Sequence, residues 1–295
     1  MNILITGASG FLGKTIYSNF PAADTLGRNS DNIIIADLSS DIPSLHKKYD
    51  LVIHCAGLAH KTPIDRFEEE LFYRVNHNGT LNLLRGLENG HLPESFLFIS
   101  TVAVYGKNCG RNINENSVVN PDTPYAKSKV LAEIDTLKWG KENSVKVSIL
   151  RLPLIVGANP PGNLGLMING ILNGYYFNIA GGNAKKSMVL ASDVALIIDK
   201  ASKISGVYNL TDGYHPSFSE LSALIAIQLK KRRPSSIPLW IAGFAAKLGD
   251  VLGKKAPINS EKLRKITSDL TFDDSKAREV LGWDPTPVLE GFKVQ

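Results

Sequence analysis

From Asn2 to Leu152, short β-branched runs alternate with longer stretches whose apolar positions recur at helical spacing. NILIT is followed by FLGKTIYSNF, NIIIAD, DLVIHCAG, a segment around Phe67 to Leu87, FLFIS, a helix containing YAKSK, and VKVSILRL. The alternation predicts a parallel sheet with crossover helices on both faces, an α/β doubly wound fold. NIIIA, LVIH and FLFI lack polar alternation, which predicts strands covered on both sides.

After Leu152 the pattern changes. PLIVGANPPGNLG is dense in glycine and proline, and a helix-like LMINGILNG, a GGN turn and a second helix from Ser192 to Lys203 follow. The terminal LTFDDSKAREVLGW predicts a short strand, a helix cap at Asp274 or Ser275 and a short helix ending at Gly282. Residues 1–160 are therefore expected to form an α/β domain to which later segments return, and residues 161–295 a smaller, interleaved substrate-binding region. The longest apolar stretch, Ile237 to Ala246, contains a proline and is about half the length of a membrane span. It predicts a packed helix, with contact to a membrane surface as the lesser alternative and no integral span.

Composition adds little to this picture. With 43% hydrophobic and 21% charged residues in 295, a folded globular chain is expected. The net charge of +5 is scattered except for Lys230, Lys231, Arg232 and Arg233, which argues against a nucleic-acid face and hints at anionic ligands. Cys55 and Cys109 lack CxxC spacing and suit free thiols in a reducing compartment. Met1 leads straight into Ile3, Leu4 and Ile5 without a basic n-region or a long apolar core, so a cytoplasmic location is expected. His and Cys never cluster at ligand spacing, so no metal is implied.

Gly7, Gly10 and Gly13 form GxxGxxG between a strand and a helix. The first allows a tight turn, the second a close approach to a pyrophosphate, and the third helix-on-sheet packing. With Ser9, Phe11 and Leu12 they make a candidate cofactor loop whose helix-start N–H groups face phosphates. An acidic residue about 20 positions further on would hold an NAD ribose. The segment there is DTLGRNS, and Arg28 suits a 2′-phosphate, favouring NADP with NAD as the alternative; Asp24 reaches a ribose if the strand is shorter. Asp37 and Leu38 are placed to frame the adenine, although Asp37 also suits a helix cap. Ala56 and Gly57 would let the backbone pass close to the cofactor.

Tyr125 and Lys129, four apart, share a helix face. An ammonium beside a phenol lowers its pKa, so the phenol can exchange a proton with a carbonyl or alcohol. Thr101, directly after FLFIS, offers a hydroxyl to the same substrate oxygen, and Val102 adjoins it. His54, His60 and Lys61, after the fourth strand, could line a substrate mouth; for a histidine at a strand end, a structural role is the stronger reading.

These features, GASGFLG, VYG, YAKSK and the terminal LGWDP, resemble the extended short-chain dehydrogenase/reductases, the nucleotide-sugar epimerase, dehydratase and reductase family. The resemblance implies a Rossmann-type fold, with Thr101 as the active hydroxyl, Tyr125 as acid/base and Lys129 binding the nicotinamide ribose. RLPLIVG resembles the family's RPxxVYG and places Pro153 near the carboxamide, although Leu152 and Ile155 depart from that pattern. Asn163 and Leu164 would contact the nucleotide, and Lys186 stands where an arginine usually meets the diphosphate. The family's dehydratases carry Asp-Glu after the active threonine and its epimerase-reductases a cysteine two residues on; Val102 and Ala103 supply neither. What remains is oxidoreduction at C4 of a nucleotide-activated sugar. The region from Pro160 to Ala195 resembles the UDP-4-keto-6-deoxy-N-acetylhexosamine reductases of surface-polysaccharide synthesis; a nucleotide-sugar 4-epimerase is the sister alternative. A non-catalytic NADP sensor or scaffold is the alternative of another class, and a homodimer is compatible with either.

Overall fold

The computed structural model describes residues 1–59, 63–252 and 258–294. In chain order the strands are β1 (Ile3–Thr6), β2 (Asp24–Gly27), β3 (Ile34–Ile35), β4 (Leu51–His54), β5 (Ser95–Thr101), β6 (Gly110–Ile113), β7 (Lys146–Leu152), β8 (Leu154–Val156), β9 (Asn178–Ile179), β10 (Met188–Leu190), β11 (Gly206–Asn209), β12 (Ser236–Ile237) and β13 (Leu270–Phe272). Seven of them form one parallel sheet in the order β11-β7-β5-β4-β1-β2-β3. The crossovers run through α1 (Phe11–Asn19), α2 (Arg66–Phe72), α3 (Gly79–Asn89), α4 (Pro124–Glu142), α5 (Gly162–Leu172) and α6 (Ala191–Lys203). The doubly wound sheet read from the alternation is present.

The period-2 alternation of a strand sends neighbouring side chains to opposite faces, and each face has its own core. Ile3, Ile5, Ile53, Leu97 and Leu150 pack with Leu12 and Ile16 of α1 and Val194 and Ile198 of α6. Leu4, Val52, Phe96, Phe98 and Ile149 pack on the other side with Leu83 and Leu87 of α3 and Trp139 of α4. The NIIIA strand departs from expectation. Only Ile34 and Ile35 pair with β2, and Ile33 and Ile35 are exposed, because this run is the edge of the sheet with a neighbour on one side alone.

Past Leu152 the chain builds a smaller layer of two-stranded pairs, β8 with β10 and β9 with β12, and β13 pairs with the earlier β6. Around them lie α7 (Phe218–Gln228), α8 (Leu239–Leu252), α9 (Ser260–Thr267), α10 (Ser275–Leu281) and α11 (Val288–Gly291). The core of this layer joins Leu164, Met167, Leu190, Leu221 and Ile225. Three later segments return to the sheet: β11 extends it beyond β7, α6 covers it, and Ala277 and Leu281 of α10 enter the α1/α6 core. The terminal strand and helix lie as expected, with Asp274 at the helix start and Gly282 ending it in the left-handed region at φ 59°.

The Ile237 to Ala246 stretch corrects the packing expectation. Ile237 belongs to β12 and the stretch is helical from Leu239 on, within α8, but it turns Ala242 and Ala246 inward and leaves Trp240 and Phe244 exposed, so it is not a packed core helix. No helix among the described residues is long and apolar enough to cross a membrane.

Candidate active site

β1 lies between β4 and β2, where the strand order departs in two directions, and crevices at such switch points hold ligands in α/β sheets. The chain leaves β1 through Gly7 at φ +73°, where a Cβ would stand 2.6 Å from the Ala56 nitrogen. A Cβ on Gly13 would lie 2.0 Å from the Gly7 carbonyl oxygen, so α1 packs on the loop only with glycine there. Gly10 starts α1 in extended conformation, and no acidic residue occupies the first turn to compete for its free amides. A cleft of about 420 Å³ opens here, lined by Gly7, Gly10, Phe11, Leu12, Gly13, Gly57, Thr101, Tyr125, Lys129 and Pro153. Backbone free of side chains beside a helix start with unopposed amides fits the pyrophosphate of a dinucleotide.

Ser9 is exposed at the outer side of this loop. Arg28, also exposed, follows the carboxyl end of β2, whereas Asp24 sits at the opposite end of that strand and accepts from Lys47 (3.1 Å) and Tyr49 (2.9 Å). Asp24 is thereby removed from any ribose. Asp37 accepts from the Ser39 amide at 3.0 Å within a local turn, and no helix starts there, so the helix-cap alternative is not met. Burial tends to raise its pKa, but the Ser39 hydrogen bonds and the charges of Arg28 and Arg74 outweigh it and hold the carboxyl below its ordinary value. Leu38 is buried, its carbonyl held by Asn82 at 2.9 Å.

Thr101 ends β5, and its hydroxyl accepts from the Ala103 amide at 3.1 Å, capping the short turn Val102–Tyr105. Thr123 caps α4 by accepting from Ala126 at 3.2 Å, with Pro124 at the first helical position; Tyr125 and Lys129 follow on one face. Phe72 meets the Tyr125 ring edge-on at 6.1 Å. The Lys129 ammonium is buried, donates to the Ile99 carbonyl at 2.7 Å and lies 3.8 Å from the centre of the Phe98 ring. Burial lowers its pKa to about 7, against the opposing pull of Glu133 and Cys55. Burial also raises the Tyr125 phenol, with the Thr101 hydroxyl working the other way. The expectation that Lys129 depresses the phenol is therefore not met in this geometry: desolvation governs both groups, and the ammonium is anchored to a carbonyl.

Two sets of residues in and under the cleft escaped the sequence. Asn76 lies in a π-helical turn, Tyr73–Asn78, where its buried side chain accepts from the Leu58 amide (2.6 Å) and donates to the Leu58 carbonyl (3.1 Å) and the Ser128 hydroxyl (3.0 Å). It fastens the loop after β4 to α4; a π turn breaks helical periodicity and so leaves no periodic signal. Beneath the site, Ser100 donates to Glu133 (2.5 Å), Arg151 pairs with Glu133 (2.7 Å) and donates to the Tyr105 hydroxyl (3.0 Å), and Tyr105 donates to Asn209 (2.8 Å). Glu133 stands one helical turn past Lys129, the spacing that could have flagged it.

Other expected residues lie elsewhere. His54 does not open to the cleft: it is buried between Thr6 (2.6 Å) and Thr80 (2.9 Å), stacks on Phe98, and is pushed down to about 3 by desolvation and by Lys129. His60 and Lys61 lie outside the described residues. Cys55 lines the cleft with its thiol pushed up to about 12 by burial, while Cys109 is exposed; both are free. Leu164 is 2% exposed within an apolar core, which corrects its place as a nucleotide contact to main chain alone. Asn163 is exposed on the first turn of α5. Lys186 donates to the carbonyls of Lys265 and Ser268 at 2.8 Å each, so its ammonium closes the end of α9 instead of standing free for a diphosphate.

Comparison with known proteins agrees with this geometry. Residues 3–210 match the NAD dependent epimerase/dehydratase family. The chain is 28% identical to UDP-glucose 4-epimerase of Vibrio cholerae, covering 99% of this chain and 93% of that one. It is 28% identical to N-acetyl-alpha-D-glucosaminyl-diphospho-ditrans,octacis-undecaprenol 4-epimerase of Escherichia coli O157:H7 (93% and 88%). GDP-6-deoxy-D-mannose reductase of Pseudomonas aeruginosa is 27% identical (94% and 98%). The fold is shared with MoeE5 in complex with UDP-glucose and NAD, with a TM-score of 0.74, 20% identity and coverage of 99% and 96%. With the glycine loop, the threonine and the tyrosine-lysine pair in one cleft, the chain belongs to the NAD dependent epimerase/dehydratase family of enzymes.

Proposed function

We propose that this chain reduces the C4 ketone of a nucleotide-activated sugar, a UDP-4-keto-6-deoxy-hexosamine used in surface-polysaccharide synthesis. The observation that carries the reading is the half-buried Tyr125, its phenol raised in pKa and beside the Thr101 hydroxyl, in the cleft that also holds the glycine loop. A phenol kept protonated is a proton donor, which a ketone reduction needs at the developing alkoxide. Thr101 shares that oxygen through its hydroxyl. Lys129, held by the Ile99 carbonyl, places positive charge under the same spot and offers hydrogen bonds to a ribose. Gly7, Gly10 and Gly13 would cradle the pyrophosphate, Asp37 and Leu38 would frame the adenine, and Pro153 would border the nicotinamide end. When bound, the nicotinamide cofactor supplies the hydride. NADP is favoured over NAD because Arg28 and Arg74 both act on Asp37, concentrating positive charge where a 2′-phosphate would sit.

A 4-epimerase is the second reading, favoured by the names of two relatives. It needs Tyr125 first to accept the proton of the sugar alcohol and then to return it, the reverse and the forward direction of one step. NADPH and NADH consumption with UDP-4-keto-6-deoxy-N-acetylhexosamine, run beside epimerisation of UDP-glucose and of an undecaprenyl-diphosphate sugar, separates the readings. Turnover of the keto-sugar, falling roughly 10²–10⁴-fold in Tyr125→Phe, is the expected result. Equal turnover by that variant sinks the mechanism, epimerisation without net reduction selects the second reading, and binding without turnover points to a sensor.

A further inference from the structure

α8 is built inside out. Ala242, Ala246 and Gly249 recur at the spacing of one helix face and are buried against the body of the protein. The large apolar side chains point to solvent: Leu239, Trp240 (76% exposed), Ile241, Phe244 (67%), Leu248 and Val251 (86%). Positions 240, 244, 248 and 251 make one stripe along the helix, about 16 Å long at 1.5 Å per residue. Scattered exposed apolar residues need no explanation, whereas a contiguous stripe marks an interaction surface.

The surroundings define the partner. The chain enters this helix through Lys230, Lys231, Arg232 and Arg233, all exposed, and none forms an ion pair among the described residues. β12, just beyond the basic run, pairs with β9, and the Asn178 amide donates to the Ser235 carbonyl at 2.9 Å. That pairing brings the exposed rings of Tyr175 and Phe177, immediately before β9, alongside the basic segment. Aromatic and aliphatic side chains next to a cluster of unpaired cations suit the boundary between acyl chains and anionic headgroups. A second copy of the chain would bring four more cations against these four, and like charges facing each other oppose such a contact.

We propose that α8, with the basic run before it, docks this protein on the surface of an anionic lipid bilayer, lying in the plane of the interface. The docking is independent of which sugar is turned over and of the direction of the reaction. Its occupant is the bilayer itself, held by buried apolar side chains and by attraction between the Lys230–Arg233 cations and lipid phosphates.

Flotation with phosphatidylglycerol/phosphatidylcholine vesicles tests it. The full chain is expected to float with mixed vesicles and to remain behind with phosphatidylcholine alone. A Trp240→Glu/Phe244→Glu double variant is expected to lose at least about tenfold in vesicle affinity. Its unfolding temperature and turnover of a water-soluble substrate should be unchanged, because both side chains already face solvent. Of the three tryptophans, Trp139 and Trp283 are buried, so a blue shift of intrinsic fluorescence on adding vesicles reports Trp240 entering the interface. Replacing all four basic residues by serine should weaken binding, by roughly fivefold per charge. No flotation and no fluorescence shift by the folded wild-type chain overturns the proposal. So does a dimer that the double variant dissociates while vesicles are ignored, and so does loss of fold in that variant, which would make α8 a core helix.

Discussion

Lys129 is an ammonium in an apolar setting, and its linkage to pH has a definite sign. Its ordinary pKa of 10.5 applies to the unfolded chain, and the folded value is about 7. Below about pH 7 both states carry the proton, and the buried charge costs the folded state its full desolvation penalty. Between about 7 and 10.5 the folded state sheds its proton first, so that cost fades and the stability of the cofactor-free protein rises with pH. Thermal unfolding across this window should show the rise, and Lys129→Met should flatten it while raising stability at neutral pH. An unchanged slope in the variant would remove Lys129 as the source. The sequence showed Tyr125 and Lys129 on one face but not this balance, because the lysine is enclosed by Phe98 and Ile99 of β5, far from it in the chain.

At the level of elements, α4 delivers the tyrosine and lysine, and the Glu133–Arg151 pair beneath it fixes that helix to β7. Both side chains are nearly inaccessible, and Arg151 contacts Glu133 through two nitrogens while also reaching Tyr105. Glu133→Gln leaves the guanidinium buried without its counter-charge, at a cost of about 3–5 kcal/mol. Denaturant unfolding should show that loss. Glu133 also raises the Lys129 pKa, so any remaining activity should have its lysine-dependent pH limb displaced to lower pH. A purely structural role would leave that limb in place. The glycine loop and the end of α10 were readable along the chain because their requirement is local, a glycine in the left-handed region at Gly7 and at Gly282. The π turn that aims Asn76 was not, since its register is set by packing against α4 and the β4 loop.

Across the whole molecule the two expected regions are not separable. β11 hydrogen-bonds along β7 from Gly206 to Asn209, and α6 and α10 complete the core on one face of the sheet. A fragment ending at residue 160 therefore exposes Leu150, Leu152 and the α1 side of that core. It should fail to unfold cooperatively, as seen by calorimetry or by dispersion of its amide resonances; a cooperative transition in the fragment would show the first region to be autonomous. The same long-range assembly explains the misplaced expectations. Lys186 is drawn to the end of α9, Leu164 into a core shared with α7 and β10, and His54 between two threonines under the sheet. None of these partners is near in sequence.

Periodicity, the glycine spacing and the tyrosine-lysine interval were enough for the parallel sheet, the glycine turn between β1 and α1 and the placing of Tyr125 and Lys129 on one face of α4, because each is dictated by backbone geometry over a few residues. The folded chain alone decided which histidines and lysines are free for chemistry, how the pKa values of Tyr125 and Lys129 move, and that the apolar face of α8 points outward. Those properties depend on burial and charge contributed by segments far apart along the chain, which local pattern does not encode.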